Sequence, residues 1–404
     1  MDFAPVERAL DEAVARGDFP GAVLRASLGG EVVFEHAAGW RSLEPVRAPM
    51  HAGVTFDLSS LTKPLATTLA AFALVHEGRL ALEHPVARWV PGFEGRERAG
   101  VLVRHLLEHS SGLPAHRPFS AGVAAIDDAG RPGFTTSTAA RAWVCEQVRR
   151  EPLEVPPGTR ALYSDLGFIL LGEIVEAVAG ERLDRVCAER VFAPLGIDGL
   201  FFVDLDDGRH APGAPMLVDV EAGARTVSPA APDAGAKAPA GTAGGPATVD
   251  FASTAFCPWR RRVLHGEVDD DNAYAMGGIA GHAGLFGRVR DVERLACAVG
   301  RAGRGEIDWL SPALVARMWT LDASVPGSTR TAGWDTPSPQ GSSAGSRLSR
   351  RAVGHLGFTG TSLWFDAERG LAIVLLTNRV HPSRENDKLK AFRPLVHDLV
   401  LEAL

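Results

Sequence analysis

The chain contains little lysine, no surplus of basic residues and few cysteines. Four of its 404 residues are lysines, the formal net charge at pH 7 is −7 and the sequence pI is about 6.0. Proteins that hold nucleic acid present clustered positive charge, so this charge balance argues against a nucleic-acid partner. The four cysteines are scattered and form no C-x-x-C pair, and we expect reduced, structural thiols at Cys145, Cys187, Cys257 and Cys297.

A long apolar run is also missing. No stretch reaches the roughly 20 apolar residues that a transmembrane helix needs. Residues 1–8 (MDFAPVER) lack the basic start and apolar centre of a signal peptide. The sequence therefore predicts a cytoplasmic location and no membrane partner, although a misassigned start codon would hide an export signal. The oligomeric state is left open.

One of the few lysines, Lys63, stands three residues after Ser60, at the start of a predicted helix over residues 61–80 that ends near Gly78. Residues three apart share one face of a helix. A buried lysine can lose its proton, which arginine cannot do, and a neutral amine can take the proton of a serine hydroxyl. The pair predicts a serine nucleophile with a lysine base. By itself, the pattern also fits an N-cap serine and a solvated lysine.

Tyrosine is scarcer still, with two residues in the chain. Tyr163 follows a Pro157-Gly158 turn and precedes an apolar helical pattern (FILLGEIVEAVAG). A phenol at such a junction can pass a proton close to a nucleophile. The alternative is an aromatic side chain whose hydroxyl is only hydrogen-bonded.

A third segment, residues 354–365 (GHLGFTGTSLWF), is rich in glycine and leads through a turn at 366–370 into LAIVLLTN. This pattern predicts a β-hairpin. Glycine within a strand often marks the close approach of a ligand to the backbone.

Together the three segments resemble the motifs of the penicillin-recognising serine hydrolases. S-x-x-K at Ser60–Lys63, Tyr-x-Asn/Asp at Tyr163–Asp165 and Lys/His-x-Gly at His355–Gly357 occur in the family's order. Further stretches are similar over nearly the full chain: VRHLLEHSSGLP, FAPLGI, GGIAGHAGLFG and LAIVLLTNR. The resemblance is strongest to the class C β-lactamase-related group, which includes esterases, D-stereospecific peptidases and cell-wall amidases.

The resemblance implies roles for the first two motifs. Ser60 matches the acylated serine, Lys63 its proton partner and Tyr163 the phenol that relays a proton to the leaving group. Asp165 stands where the family usually has an asparagine. Because Asp165 is a carboxylate, it can instead pair with protonated Lys63.

The third motif departs from the family pattern. His355, Leu356 and Gly357 stand where many relatives have Lys-Thr-Gly, whose lysine and threonine hold a substrate carboxylate. Leu356 has no side-chain donor, and a histidine is only partly charged at neutral pH. We therefore expect no strong carboxylate clamp. By resemblance, the backbone N–H groups of Ser60 and Phe358 form the oxyanion hole.

The sequence thus predicts a serine hydrolase that acts through an acyl-enzyme on a small ester or amide, without cofactor or metal. One alternative is an amidase or peptidase on cell-wall (muropeptide) fragments, and another is a weak β-lactamase. A non-enzymatic penicillin-binding protein is the remaining alternative, which an intact Ser60, Lys63 and Tyr163 set argues against.

The resemblance implies an α/β (α+β) fold of the β-lactamase and penicillin-binding-protein type, an antiparallel sheet flanked by terminal helices plus a mainly α lobe. Hydrophobic patterns agree with helices at 4–17 and from about 386, and with hairpins at 21–38 and 361–378. We predict one domain over 1–404, with an α/β lobe at 1–84 and 276–404 and a helical lobe at 85–275. Residues 206–250, rich in Ala, Pro and Gly, predict a long, partly disordered surface loop.

Other patterns suggest different chemistry. Residues 105–109 (HLLEH) match the H-x-x-E-H pattern of some zinc peptidases, but no third ligand is evident. Residues 341–345 (GSSAG) match G-x-S-x-G without a preceding strand, and we discount them. Asp269, Asp270 and Asp271 suggest an acidic loop more than a calcium site. His282, between glycines, either lines the cleft or is a buried structural histidine.

Overall fold

A six-stranded antiparallel sheet is the centre of the fold. This computed structural model describes residues 1–206, 216–219, 226–229 and 249–404. Within these ranges the strands are β1 Gly21–Leu28, β2 Glu31–Ser42, β3 Ala48–Pro49, β4 Phe56–Asp57, β5 Phe201–Phe202, β6 Met216–Asp219, β7 Thr226–Pro229, β8 Phe256–Cys257, β9 Arg262–Val263, β10 Leu285–Gly287, β11 Val353–Leu356, β12 Ser362–Asp366 and β13 Leu371–Thr377. The order in the large sheet is β11-β12-β13-β1-β2-β3. Both predicted hairpins are confirmed as β1–β2 and β12–β13.

Helices cover both faces of this sheet. Within the described part of the chain they are α1 Ala4–Ala15, α2 Leu69–His76, α3 Val103–Leu107, α4 Phe119–Asp128, α5 Thr138–Arg150, α6 Asp165–Ala179, α7 Leu183–Cys187, α8 Asp271–Ala275, α9 Val289–Gly303, α10 Pro312–Trp319 and α11 Leu389–Ala403. The terminal helices α1 and α11 pack together on one face, as predicted, and α9 packs on the other.

The central strands show why both faces are covered. Side chains alternate between the two faces of a strand, and in β13 both sets are buried and, apart from Thr377, apolar. Ile373 and Leu375 pack towards α1 and α11, whereas Val374 and Leu376 join the larger core around α9 and α6. The central part of the sheet is therefore buried on both faces. A functional site can form only where the strands end.

The helix α6 places the second motif. Ser164 is its N-cap, and the hydroxyl accepts a hydrogen bond from the N–H of Gly167 while donating to the carbonyl of Pro114 at 2.6 Å. At the other end, Gly180 has the left-handed φ of 74° that ends many helices. Because ten of the fifteen residues of α6 are buried, packing fixes its start, where Tyr163 and Asp165 stand.

The helix predicted over residues 61–80 is present and ends at His76, close to Gly78, but its first half is not α-helical. Residues Ser59–Leu61 form a 3₁₀ turn, Lys63–Thr68 form a π-helical segment and α2 begins only at Leu69. Pro64 has no N–H to donate, and the hydroxyls of Thr62 and Thr67 donate to the backbone carbonyls of Ser59 and Gly281. This irregular start lies at the candidate site, where π-helical turns are often found.

Most of the predicted loop at 206–250 lies outside the described residues, apart from its two ends and β6 and β7, which pair as an antiparallel hairpin. The strands of the large sheet come from residues 21–49 and 353–377, and α3–α8 lie between 103 and 275. One continuous apolar core includes residues of both sets, and the boundaries of the two lobes stay a prediction. No helix in the described ranges has the length and apolar character to cross a membrane.

Candidate active site

Ser60 and Lys63 meet at the irregular start of the helical segment. The Nζ of Lys63 lies 3.1 Å from the Oγ of Ser60, 3.0 Å from the backbone oxygen of His282 and 2.8 Å from Oδ1 of Asp165. The lysine side chain is fully buried. An ammonium group has three N–H donors, which equals the number of these oxygens, and Tyr163 lies near enough to interact with it as well.

The charge state of Lys63 follows from its neighbours. Burial lowers the pKa of Lys63, but the negative charge of Asp165 and interactions with Tyr163 outweigh burial and raise the pKa overall. Burial likewise raises the pKa of Asp165, but the charge of Lys63 and a hydrogen bond from His116 lower it well below its usual range. The resting site therefore holds an ammonium–carboxylate pair. The lysine is not a free neutral amine at neutral pH.

Tyr163 packs between the first and third motifs. The Nζ of Lys63 lies 4.8 Å from the centre of the Tyr163 ring. The rings of His109 and His355 flank it at centroid distances of 4.5 and 5.8 Å. Tyr163 and Ser60 line the same two cavities. The structure thus brings Ser60, Lys63 and Tyr163 together, as the resemblance implied.

The loop after β11 is attached directly to the segment that carries Ser60. The hydroxyl of Thr359 donates to the carbonyl of Asp57 at 2.8 Å, and that of Thr361 donates to the carbonyl of Leu58 at 3.0 Å. A Cβ atom on Gly357 would lie 2.0 Å from Oγ1 of Thr361. Any other residue at this position would push the loop away, which explains the glycine of the third motif.

Ser59 occupies the junction between this loop and Ser60. It has a φ of 50°, which is strained for a residue other than glycine, and its Oγ accepts a hydrogen bond from the N–H of Phe358 at 3.2 Å. The Phe358 N–H expected in an oxyanion hole is therefore engaged by a neutral hydroxyl. A developing oxyanion is a stronger acceptor and can replace that hydroxyl.

His355 does not supply the partial charge expected of it. Its Nδ1 donates to the carbonyl of Leu356 at 2.8 Å, and Nε2 is buried without a partner among the described residues. Burial, followed by the charge of Arg330, holds the pKa of His355 well below its usual range. The imidazole is therefore neutral at physiological pH.

Two cavities meet at Ser60 and Tyr163. The first, of about 300 Å³, carries full positive charges beside the third motif: Arg330, Arg379, Lys390 and Arg393, with Asp335 and Asp387 as the carboxylates. Arg330 lies 5.1 Å from the centre of the Tyr163 ring and pairs with Asp335 at 3.3 Å. Reasoning from the third motif alone did not foresee these cations.

The second cavity, of about 390 Å³, is lined by carboxylates and histidines. Asp270 accepts a hydrogen bond from Nε2 of His282 at 3.0 Å, while Arg384 contacts Asp269 and Asp271. His282 is both buried and part of the cavity wall, so the two alternatives for this residue are not exclusive. The acidic run is paired with arginine and histidine, as expected of an acidic loop more than of a calcium site.

The competing motifs do not converge on a site. His109 lies beyond the end of α3, and its Nδ1 accepts from the N–H of Ser164, whereas Glu108 pairs with Arg317 at 2.9 Å. Nowhere in the described ranges do three His, Cys, Asp or Glu side chains gather as a metal site would require. Ser343, from G-x-S-x-G, has its carbonyl bonded to His397 of α11.

Two functional candidates escaped sequence reasoning. No sequence pattern marks Arg330, because it lies in an irregular segment. It is positioned at the site by two β-bridges, one from Arg330 to Asp335 and one from Asp335 to Gly354 of β11. Asp57 accepts hydrogen bonds from the N–H groups of Ser59 and Asp269 at 2.8 and 2.6 Å, and burial raises its pKa to about 7. Its position three residues before Ser60 was the only available sign.

The scarcity of lysine allows a direct test of the buried ion pair. With lysine labelled with ¹³C at Cε, the protein contains four labelled side chains, and the signal missing in Lys63→Arg identifies Lys63. We expect this signal to show a protonated lysine throughout the neutral pH range, because Asp165 raises the pKa of Lys63. In Asp165→Asn burial is opposed by Tyr163 alone, and the titration should move to lower pH. A Lys63 signal already neutral at pH 8 in the unmodified protein would contradict the assignment.

Comparison with known proteins agrees with this geometry. The chain is 30% identical over 354 residues to an Escherichia coli (strain K12) protein named "Putative D-alanyl-D-alanine carboxypeptidase", covering 84% of this chain and 71% of that protein. It is 29% identical over 403 residues to the N-acetylmuramyl-L-alanine amidase of Bacillus subtilis (strain 168), covering 93% and 80%.

Solved structures of other proteins are similar to this chain as well. EstCE1, a hydrolase with promiscuous acyltransferase activity, superposes with a TM-score of 0.64 at 25% identity, over 96% of this chain and 97% of that one. The penicillin-binding protein homologue from Pyrococcus abyssi shares the fold, with a TM-score of 0.65 at 22% identity over 100% and 78% of the two chains. A sequence model of the family described as Beta-lactamase matches residues 6–397. The chain belongs to the Beta-lactamase family and is a serine hydrolase.

Proposed function

We propose that Ser60 attacks the carbonyl of an ester or amide and forms an acyl-enzyme that water then hydrolyses. The observation that carries this proposal is the 3.1 Å contact between Lys63 Nζ and Ser60 Oγ at the meeting point of two cavities. A nucleophile within hydrogen-bond distance of its proton partner, which is itself oriented by a third group, is the arrangement that activates serine. Asp165 is that third group.

The proton of Ser60 passes to Lys63 and Tyr163 acting together. Because Lys63 is an ammonium at rest, the pair must first lose one proton, and a neutral amine beside a phenol holds the same number of protons as an ammonium beside a phenolate. The deprotonated pair takes the proton of Ser60 while the bond from its Oγ to the substrate carbon forms. Tyr163 then returns a proton to the leaving group as its bond breaks. Lys63 remains the base of the pair and Tyr163 the relay.

The oxyanion that forms in this step needs donors. We propose the backbone N–H groups of Ser60 and Phe358 for this role. The hydrogen bonds of Thr359 and Thr361 to the segment before Ser60 support it, because they hold the two N–H groups in one rigid unit. The Oγ of Ser59 leaves the Phe358 N–H when the substrate carbonyl enters.

The charges of the first cavity bear on the substrate. Arg330 stands beside Tyr163, which protonates the leaving group, so a leaving group with a carboxylate fits this cavity. The named functions of the carboxypeptidase and amidase relatives support an amide in a cell-wall peptide fragment as a second candidate substrate. Leu356 still offers no hydroxyl, and we expect slow turnover of cephalosporins.

The nucleophile can be identified by mass. A fluorophosphonate should add once to the intact protein, and peptide mapping should place the adduct on Ser60, because only this serine contacts a buried lysine in the described ranges. Ser60→Ala should lose the adduct and reduce kcat by several orders of magnitude, on the order of 10⁶ in other serine hydrolases. An adduct on Ser343 or Ser362 would refute the proposal.

Arg330 can be tested with two esters that differ in one charge, 3-carboxyphenyl acetate and phenyl acetate. Arg330→Gln should lower the ratio of their kcat/KM values about ten- to a hundredfold, since a charge-assisted hydrogen bond contributes roughly 1.5–3 kcal/mol. Asp335→Asn releases Arg330 from its ion pair and should raise the ratio. Equal losses on both esters in Arg330→Gln would show that Arg330 does not select a carboxylate.

A further inference from the structure

A buried arginine lies behind the third motif. Arg393 of α11 is 8% exposed, and its Nη2 donates to the carbonyl oxygens of Gly357 and Thr361, both at 3.1 Å. No carboxylate among the described residues lies within ion-pair distance of it, and its Nε is buried without a partner there. A buried cation without a counter-ion is costly.

The guanidinium nevertheless keeps its charge. Burial, followed by the nearby charge of Arg379, lowers the pKa of Arg393 to about 10, which leaves it protonated at neutral pH. The fold thus retains a full positive charge against the carbonyl oxygen of Gly357. Since the loop is already attached through Thr359 and Thr361 to the Ser60 segment, the charge is not needed merely to hold the loop in place.

The position of the contact between Arg393 and the Gly357 carbonyl oxygen indicates what effect it has. The carbonyl of Gly357 and the N–H of Phe358 belong to one planar peptide group. A cation that binds the oxygen draws electron density towards it, so the N–H of the same group becomes a stronger donor, as in any polarised hydrogen-bond chain. We propose that Arg393 is a positioning residue that strengthens the Phe358 N–H as an oxyanion donor. This inference rests on the oxyanion hole of the proposed function.

A neighbouring arginine provides a matched comparison. Arg379 donates to the carbonyl oxygen of Phe358 from Nε at 2.9 Å and from Nη2 at 2.6 Å, and its guanidinium stacks on the Phe358 ring at 4.6 Å. That oxygen belongs to the next peptide group, which does not contain the Phe358 N–H. Arg379 therefore orders the same loop without polarising the proposed donor.

The effect should appear in the chemical step and not in substrate binding. An oxyanion exists only in the tetrahedral state, so a stronger donor raises kcat and leaves KM almost unchanged. Removing one oxyanion donor outright costs about 10²–10³ in kcat. Removing only its polarisation should cost less, about tenfold.

Three variants separate charge from loop order: Arg393→Gln keeps a donor without charge, Arg393→Lys keeps the charge and Arg379→Gln removes the neighbouring cation. The readouts are the burst of p-nitrophenol from p-nitrophenyl acetate, with kcat and KM, and the inhibition constant of phenylboronic acid. Phenylboronic acid adds to a serine hydroxyl as a tetrahedral anion. Arg393→Gln should acylate about tenfold more slowly, with KM within about twofold, and bind the boronate correspondingly more weakly.

Arg393→Lys should retain most of the acylation rate and most of the affinity for phenylboronic acid. Arg379→Gln should weaken boronate binding less than Arg393→Gln does. Thermal unfolding of each variant checks that it is folded, and Arg393→Lys is the substitution that disturbs the buried charge least. The inference fails if Arg393→Gln binds the boronate as tightly as the unmodified protein, or if the Gln and Lys variants are equally impaired. Absence of a Ser60 adduct in the unmodified protein would instead overturn the proposed function itself.

Discussion

The buried ion pair between Lys63 and Asp165 is the interaction on which the rest of the site depends. A fully buried ammonium needs a counter-charge and three acceptors, and it finds them on three separate segments: Ser60, Asp165 and the backbone of His282. The pair thus joins the irregular helix start, the N-terminus of α6 and the loop before β10. Loss of either charge would leave the other buried and unpaired, and would loosen Ser60, the proposed nucleophile, together with its surroundings.

The proposed oxyanion site depends on a second set of constraints. Hydroxyl groups of the loop after β11 bond to the carbonyls of residues 57 and 58, and Gly357 permits the close approach that these bonds require. Arg393 and Arg379 then bind the outer carbonyl oxygens of that loop. The charges of the two cavities differ, with cations beside the third motif and carboxylates on the opposite side of Ser60. This difference in charge supports the proposal that a carboxylate-bearing leaving group enters the first cavity.

Sequence reasoning found the elements whose signals are local. The spacing of Ser60 and Lys63, the junction at Tyr163 and the glycines of the third motif each reflect a backbone requirement, and apolar runs bounded by turn glycines indicated β1 and β13. Sequence reasoning failed for features that depend on contacts with residues distant in the chain. The π-helical turn at Lys63–Thr68 depends on hydroxyl contacts with distant backbone, and Arg330 enters the site through bridges to β11. The neutral state of His355 comes from burial and Arg330, which no local pattern reports.

The most direct test of this account is the pH dependence of kcat/KM in Asp165→Asn. Asp165 raises the pKa of Lys63, and in the proposed mechanism the active form has lost one proton from the Lys63 and Tyr163 pair, so kcat/KM should rise with pH above neutrality in the unmodified enzyme. Without the carboxylate, the largest influence that raises the pKa of Lys63 is lost while burial still lowers it, and the rise should move to lower pH. Because His116 also contacts Asp165 at 3.4 Å, the comparison is repeated in a His116→Asn background. A rise that stays in place, or moves to higher pH, would contradict the central role of the ion pair.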